Sequence, residues 1–398
     1  MHVVALFGNN KAENWVSGRR NWYSNLENKL ALNKKFVIWI HASSTGEFEQ
    51  GRTVIDGLRK AKGDYFFLLT FFSPSGFLQH KDYEEVNAVY YLPLDSKSNA
   101  NEFLNVVNPK IAIFIKYEFW YFYFKGLAKR EIPLFLVSAK LTKNHLFFKW
   151  YGKSYRKVLQ HPSLFFVQDE STNALLKELG VDNVMVTGDT RIDRVLEVAS
   201  LKVSNSIVEE FLENEKAIIV GSSWSAEEKI VIEWLNSGVY SGKIIIAPHE
   251  INEQRIQSLV NSLQVKTIRY THADLNNIEP EGQVLIIDCI GILKDLYKYG
   301  SWAFIGGGFS DGIHNILEPA VFGLPVIFGP KYKKFSEAVD LIELGGAFSI
   351  SSFSAFNEHS EKLNDPKILM KRSKVCKSYI EQNQGASLKV VKQINQYL

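Results

Sequence analysis

The segment His41-Ala-Ser-Ser-Thr-Gly-Glu47 follows directly on the apolar run Phe36–His41. A small, glycine-containing turn after a buried parallel strand lies at the carboxyl edge of a sheet, where α/β proteins place their ligands. Glu47 would stand in the first turn of the next helix, among backbone N–H groups without intrahelical partners. A carboxylate there can act as a general base on a substrate hydroxyl within hydrogen-bond reach. The same acid can also do no more than cap the helix and complement its dipole. Spacing alone leaves both readings open.

A second group is Gly306-Gly-Gly-Phe-Ser-Asp-Gly-Ile-His-Asn-Ile-Leu-Glu-Pro319, after the run Trp302–Ile305. Glycines between a strand and a helix let the backbone approach a ligand, and a helix N-terminus attracts phosphate. Gly307, Gly308 and His314 belong to this loop. Asn315 and Glu318 are three apart, the spacing that puts two side chains on one face of a first turn, and a carboxylate at Glu318 can accept both hydroxyls of a ribose. The following segment Pro319-Ala-Val-Phe-Gly-Leu-Pro-Val-Ile-Phe-Gly-Pro330 adds a short helix, a buried strand and a second Gly-Pro turn. The loop has neither the Lys-Ser/Thr of a Walker loop nor the GxGxxG spacing of a dinucleotide fold. The bland alternative is a glycine-rich turn with no ligand.

Gly221-Ser-Ser-Trp-Ser-Ala-Glu-Glu228 repeats the strand-to-helix pattern, with Ser222 and Ser223 able to bind phosphate. Ser225 with Glu228 matches a capping box, so a purely local role is equally open. In Gly188-Asp-Thr-Arg-Ile-Asp193, Arg191 can reach a phosphate or pair with Asp189 or Asp193. Residues 132–168 hold no Asp or Glu, while Lys140, Lys143, Lys149, Lys153, Arg156 and Lys157 mix with Phe147, Phe148, Trp150, Tyr151 and Tyr155. Bases among large aromatics suit a membrane interface or a phosphorylated headgroup; a solvated basic helix with a core-facing aromatic stripe is the alternative. Trp15, Arg19, Arg20, Trp22 and Tyr23 repeat that chemistry and favour the membrane reading. The histidines, His249-Glu250 among them, show no HxxxH or HxxE spacing, so no metal site is expected.

Positioning these residues requires sheets. Apolar runs recur at Phe36–His41, Tyr65–Phe71, Ala88–Leu92, Ile111–Ile115, Leu134–Ser138, Leu164–Val167 and Val184–Thr187. They recur again at Ala217–Gly221, Lys243–Ala247, Val265–Arg269, Val284–Ile287, Trp302–Ile305, Pro325–Phe328 and Ala347–Ile350. Continuous apolar strands separated by helical stretches read as parallel sheets covered on both faces. Seven per half predict an α/β protein of two doubly wound, Rossmann-like domains. The expected division is 1–198 and 199–398, with the hinge in the polar stretch Ala199–Glu215 and a last helix, about 375–398, able to pack back on the N-terminal domain.

A chain of 398 residues has room for two such domains. Cys289 and Cys376 are its only cysteines, which excludes a disulfide framework or a zinc cluster of cysteines. No run approaches the length of a membrane span, and Met1–Phe7 is too short for a secretory signal. Residues 1–200 carry 26 Lys and Arg against 20 Asp and Glu, and residues 201–398 carry 20 against 23. A modest basic bias in one half suits an anionic substrate or surface and falls short of a nucleic-acid footprint.

In order along the chain these motifs resemble the Kdo transferases, which move 3-deoxy-D-manno-octulosonic acid (Kdo) from CMP-Kdo to a lipid A precursor. The resemblance runs from Gly18-Arg-Arg-Asn21 to Phe348 through HASSTGE, IKYEFW, VSAKLT, VQDESTNALLKELG, VTGDTRID, GSSWSAEE and DGIHNILEPA. It implies a GT-B fold, an inverting reaction needing no metal and no cofactor, and attachment to the cytoplasmic face of the inner membrane. By matching position it implies Glu47 as the base. Glu118, with Lys116 and Lys140, falls on the acceptor side, where the N-terminal domain would take a lipid A precursor of lipid IVA type. Arg191, Ser222, Ser223, Pro248, His249, Gly307, Gly308, His314, Asn315 and Glu318 fall on the CMP-Kdo side, in or next to the C-terminal domain. The sequence departs from the family at Lys116, where many members have Glu, and at Lys140 and Arg191, which replace Arg and Lys. His249-Glu250 replaces an Arg-His pair, and Ile313 replaces a glycine. The apolar stretch His2–Phe7 reads as a shortened membrane anchor. Two rivals remain at this stage. One is a GT-B transferase using a UDP-sugar in cell-envelope synthesis; the other is a catalytically silent nucleotide-sugar or lipid-binding protein on the same fold. The missing GxGxxG disfavours a dehydrogenase.

Overall fold

A computed structural model of the chain describes residues 10–61, 63–116, 118–201, 203–274 and 282–398. The apolar stretch His2–Phe7 and Tyr117 of IKYEFW lie outside the described residues. The chain divides into two compact units, residues 1–194 with 383–398, and residues 195–382.

The first unit is built on β1 (Phe36–Ala42), β2 (Tyr65–Phe71), β3 (Ala88–Tyr91), β4 (Ile111–Ile115), β5 (Leu134–Ala139), β6 (Leu164–Val167) and β7 (Val184–Val186). They form one parallel sheet in the order β3-β2-β1-β4-β5-β6-β7. The second unit has β8 (Ala217–Ser223), β9 (Ile244–Pro248), β10 (Thr267–Arg269), β11 (Val284–Ile286), β12 (Gly300–Ile305), β13 (Val326–Phe328) and β14 (Ala347–Ser349). Its parallel order is β10-β11-β9-β8-β12-β13-β14. All fourteen apolar runs are strands, with ends displaced by one or two residues. Burial explains why the runs are unbroken: Trp39 packs with Phe103, Phe114 and Tyr123 on one face of the first sheet, while Ile38 and Ile40 pack with Phe48, Val54 and Leu58 on the other. A side chain pointing either way meets core, so neither face selects polar residues.

In both sheets the strand order reverses once. From β1 the chain runs outward to β3 and returns to β4 at the other side of β1; from β8 it runs outward and returns to β12. At such a reversal the loops after the two central strands diverge and leave a crevice at the carboxyl edge. At these edges lie Ser43 and Ser44 after β1, and Lys116 and Glu118 after β4. In the second sheet Trp224 follows β8 and the segment Gly306–Ile316 follows β12.

The C-terminal stretch is two helices, Pro366–Asn383 and Ala386–Ile394, where the sequence predicts one. Gly385, with φ 91°, breaks the run in a left-handed conformation that glycine adopts without strain. Asp193 fixes the second helix, accepting from the amides of Gly385 and Ser387 at 2.6 Å each. Val390, Val391 and Ile394 then join the core beside Ile38, Ile40 and Leu58.

Candidate functional site

In the first unit, Ser44 is the N-cap of the helix Thr45–Lys60. Glu47 reaches back so that its Oε2 accepts from the Ser44 amide at 3.0 Å and the Ser44 hydroxyl at 3.3 Å. The capping role is therefore real. It coexists with a second property, because Glu47 is buried beside another acid. Burial first, and the neighbouring Glu118 charge second, push its carboxyl up to about 7, while Lys116 and the Ser44 bonds act the other way. Burial likewise raises Glu118, while the neighbouring Ser43, Trp120, Glu47 and Lys116 act the other way. Two carboxyls in mutual contact cannot both ionise freely, so the pair tends to hold a proton near neutral pH.

His41, the last-but-one residue of β1, lies fully buried beneath this pair. Its Nδ1 meets the Thr70 carbonyl at 3.0 Å and the Thr70 hydroxyl at 2.9 Å, and its Nε2 lies 3.9 Å from Glu118 Oε2. Burial drives the imidazole down to about 3, so the ring is neutral across the physiological range. Lys116 follows β4 with φ 69°, a left-handed conformation uncommon outside glycine. Thus Glu47, Glu118 and Lys116 come together at the crevice of the first sheet. Lys140, by contrast, turns to Asp169 at 3.7 Å.

Arg191 grips Asp189 with its amide, Nε and terminal nitrogen, at 2.9, 2.9 and 2.6 Å, which is the local pairing left open by the sequence. In the aromatic-basic N-terminus Trp15 and Arg19 are structural, whereas Arg20 and Tyr23 are exposed. Trp15 is buried, and the Arg19 guanidinium donates to the carbonyls of Leu92, Trp15 and Phe72 while lying over the rings of Trp15, Phe72 and Tyr91. An arginine so committed stiffens the fold and has little left for a headgroup.

In the second unit, Ser222 turns the chain at the end of β8 with φ 50°. Ser223 is fully buried and donates its hydroxyl to Glu228 at 3.0 Å; Arg255 holds the same carboxylate oxygen at 3.0 Å. The Ser223 hydroxyl thus points into the unit, which corrects the expectation that it serves as a phosphate donor. Helix capping lies one residue earlier than the Ser225–Glu228 spacing predicts: the Trp224 amide donates to Glu227 at 3.1 Å. Burial raises the Glu227 carboxyl, while the amides of Trp224, Phe309 and Gly307 act the other way.

Three loops meet around Trp224. Its ring stacks on His249, after Pro248 at the end of β9, with centroids 4.6 Å apart. His249 stacks in turn on His314 at 4.4 Å. The Trp224 indole N–H donates to His314 Nε2 at 3.1 Å. Gly307 adopts φ 87°, and a side chain on Gly308 would strike the backbone of Gly329 at 2.5 Å, so these glycines let loops close on one another. Asn315 donates to Glu318 at 3.0 Å and accepts from the Leu317 amide at 3.1 Å. The helix there is only Leu317–Val321; Asn315 precedes it rather than sharing its first turn.

Sequence reading left His41, Trp120, Trp224, Glu227 and Arg255 without a role. His41 and Trp224 stood inside the quoted motifs, and an indole between two serines and two acids was the available signal. Arg255, in the helix Glu253–Ser262, gave none. Among the described residues, no three His, Cys, Asp or Glu side chains converge as a metal site, and no helix is long and apolar enough to cross a membrane.

Two reversing parallel sheets, each with its polar cluster at the reversal, define a GT-B glycosyltransferase fold. Solved structures agree on that architecture. UDP-GlcNAc 2-epimerase of Neisseria meningitidis bound to UDP-GlcNAc aligns with TM-score 0.64 and 17% identity, over 90% of this chain and 99% of that one. Acinetobacter baumannii MurG aligns with TM-score 0.57 and 11% identity, over 91% and 99%. Residues 16–194 match the model of the 3-deoxy-D-manno-octulosonic-acid transferase (kdotransferase) family. The 3-deoxy-D-manno-octulosonic acid transferase of Aquifex aeolicus is 28% identical over 325 residues, 79% of this chain and 82% of the relative. Those of Rickettsia prowazekii and Chlamydia muridarum are each 26% identical, covering 87% and 77% of this chain and 76% and 73% of their own. Residues 16–194 thus match the Kdo transferase family, and most of the chain is similar to curated Kdo transferases, which are glycosyltransferases.

Proposed function

We propose that this chain transfers Kdo from CMP-Kdo to a lipid A precursor of lipid IVA type, with inversion and without a metal. Glu47 is the general base. The observation that carries the reading is the Glu47 carboxyl, buried beside Glu118 at the β1/β4 reversal and pushed up to about 7. A base is most effective when its pKa lies near the working pH, because it is then both ionised and able to hold the proton it takes.

In this reading an acceptor hydroxyl oxygen bonds to the anomeric carbon of Kdo as the bond from that carbon to the phosphate oxygen of CMP breaks. The hydroxyl proton passes to Glu47, and CMP departs with the bonding electrons. Glu118 and Lys116 set the charge around Glu47 and the acceptor. Lys140 is assigned to the acceptor side on family position only. The second unit holds the nucleotide, with Glu318, positioned by Asn315, on the ribose, and Ser222, Pro248, His249, Gly307, Gly308 and His314 around the remainder. Arg191 is assigned to the donor phosphate, for which it would have to exchange its grip on Asp189. Neutral and cationic donors facing the leaving phosphate would stabilise the charge that grows there.

We place the enzyme at the cytoplasmic face of an anionic inner membrane. The support is the surface after β5, where Trp150 and Tyr151 are 83% and 60% exposed beside exposed Lys153 and Lys157. The deciding experiment is to incubate the chain with CMP-Kdo and a tetraacyl lipid A precursor and weigh the lipid. A mass gain of one or more Kdo units is expected. Transfer from a UDP-sugar instead would overturn the donor assignment, and no transfer to lipid with any nucleotide sugar would overturn the function.

A further inference from the structure

The ring stack of the second unit contains a hydrogen bond whose direction is chemically fixed. An indole N–H can only donate, and an imidazole nitrogen that accepts must carry its lone pair. With Trp224 Nε1 3.1 Å from His314 Nε2, the proton of the neutral ring is on Nδ1. We propose that Trp224 is a positioning residue that locks His314 in its Nδ1–H tautomer, so that this ring presents a hydrogen-bond donor to a phosphate oxygen of the bound nucleotide. The inference rests on the reading that the second unit holds the donor nucleotide.

Three further contacts hold the ring where the lock needs it. The His314 amide donates to the Gly306 carbonyl at 3.1 Å, which ties the residue's backbone to the end of β12. His249 stacks on one face. Gly307 leaves the space beside the ring: a Cβ there would lie 3.0 Å from His314 Cδ2 and 3.3 Å from Nε2. Nδ1 makes no hydrogen bond among the described residues and is not sealed from solvent. The one polar atom of the ring left for a ligand is therefore a donor.

The lock also keeps the ring from protonating. A proton on Nε2 would face the Trp224 N–H head-on, and burial together with neighbouring His249 already holds His314 down to about 4. The other charged or titratable groups around the stack are paired. Glu227 takes the Trp224 amide, Glu228 is bonded to Ser223 and Arg255, and Arg255 lies 5.8 Å over the Trp224 ring with Glu250 3.6 Å from its other nitrogen. A neutral donor gives the same hydrogen bond on either side of neutrality.

The test is nitrogen NMR of the full chain from pH 5 to 8, with His314 assigned by the signal lost in His314→Gln, beside calorimetry of CMP binding. The wild-type ring should report the Nδ1–H tautomer throughout and not titrate. In Trp224→Phe, which keeps a stacking ring and loses the donor, His314 should populate both neutral tautomers, while burial and His249 still keep it from titrating in this window. CMP affinity should then fall severalfold, because a ring in its Nε2–H form turns a lone pair at Nδ1 toward the phosphate. A Trp224 with only a packing role would lower the melting temperature and leave the tautomer alone; that result overturns the proposal. So does a wild-type Nε2–H tautomer, which needs no variant to fold. A chain that binds no CMP at all sinks the nucleotide reading, while the tautomer measurement still upholds or overturns the lock.

Discussion

The crevice of the first sheet and the crevice of the second are the same topological feature furnished with opposite chemistry. At the β1/β4 reversal the buried groups are acids, Glu47 and Glu118, and burial raises both. At the β8/β12 reversal the central group is the imidazole of His314, and burial lowers it. Desolvation penalises the charged form in each case. For a carboxyl that brings the pKa up toward the working pH, and for an imidazole it carries the pKa away from it. The first crevice is thus suited to taking up a proton and the second to holding an anion without exchanging one. His41 shows the limiting case inside the first crevice, a histidine buried so fully that it is neutral while the acid beside it is poised.

The sharpest way to break this contrast is Glu47→Gln. General-base assistance is worth on the order of 10²–10⁴ in rate, so transfer should fall by that much while CMP binding is unchanged. Stability should move the other way. The folded-state value of Glu47 lies above its ordinary 4.5, so its favourable contribution is complete below 4.5 and is lost as pH rises through about 7. Removing the ionisable group should therefore leave the variant at least as heat-stable as wild type at pH 8. A variant that keeps most of its activity would remove Glu47 from the mechanism.

The pH profile refines the same point. The acid limb of kcat/KM should lie near 7 in the wild type. Glu118→Gln removes the second-largest cause of that elevation and should shift the limb downward, though not to 4.5, because burial, the larger cause, remains. An unmoved limb would mean that the two carboxyls are not coupled in solution.

Glu318→Ala probes the other crevice. It deletes a charged hydrogen-bond partner and leaves the Asn315 amide without its acceptor, so CMP binding should weaken by about 1–3 kcal/mol, roughly fivefold to 150-fold. Transfer at saturating donor should change far less. Unchanged affinity by calorimetry would place the nucleotide elsewhere.

The sheets were legible because their signal is local and redundant: most strands are unbroken apolar runs, and the reversal makes loops far apart in sequence into neighbours. Glu47 and Glu318 were legible as motif residues. Their surroundings were not. That Ser223 turns inward depends on Arg255, 32 positions away, and that His314 Nε2 meets an indole N–H depends on Trp224, 90 positions away. Asp193 sat in a quoted motif, yet its task of capping a helix 192 residues later follows from packing alone. Composition likewise marked the aromatic-basic segments without distinguishing a ring in the core from a ring in solvent.

That last distinction reshapes the membrane hypothesis and predicts the smallest effect. Residues 141–159 read as one basic stretch, but they fold as three short 3-10 turns, and only part of the stretch faces outward. Phe147 is buried, Arg156 donates to the Phe147 carbonyl at 2.6 Å, and the Tyr155 hydroxyl donates to the Phe119 carbonyl at 2.6 Å. Replacing these residues would damage the first unit whatever it docks on. Trp150, Tyr151, Lys143, Lys153 and Lys157 are the exposed aromatic and basic members. Each lysine near an anionic surface contributes about 1 kcal/mol, and interfacial aromatics add an apolar term that salt does not screen. Lys153→Ser with Lys157→Ser should therefore weaken sedimentation with anionic liposomes at low salt by roughly tenfold or more, with no change in CMP affinity. Trp150→Ser with Tyr151→Ser should weaken what binding persists at high salt. Binding that survives both pairs would show that this face of the first unit is ordinary surface.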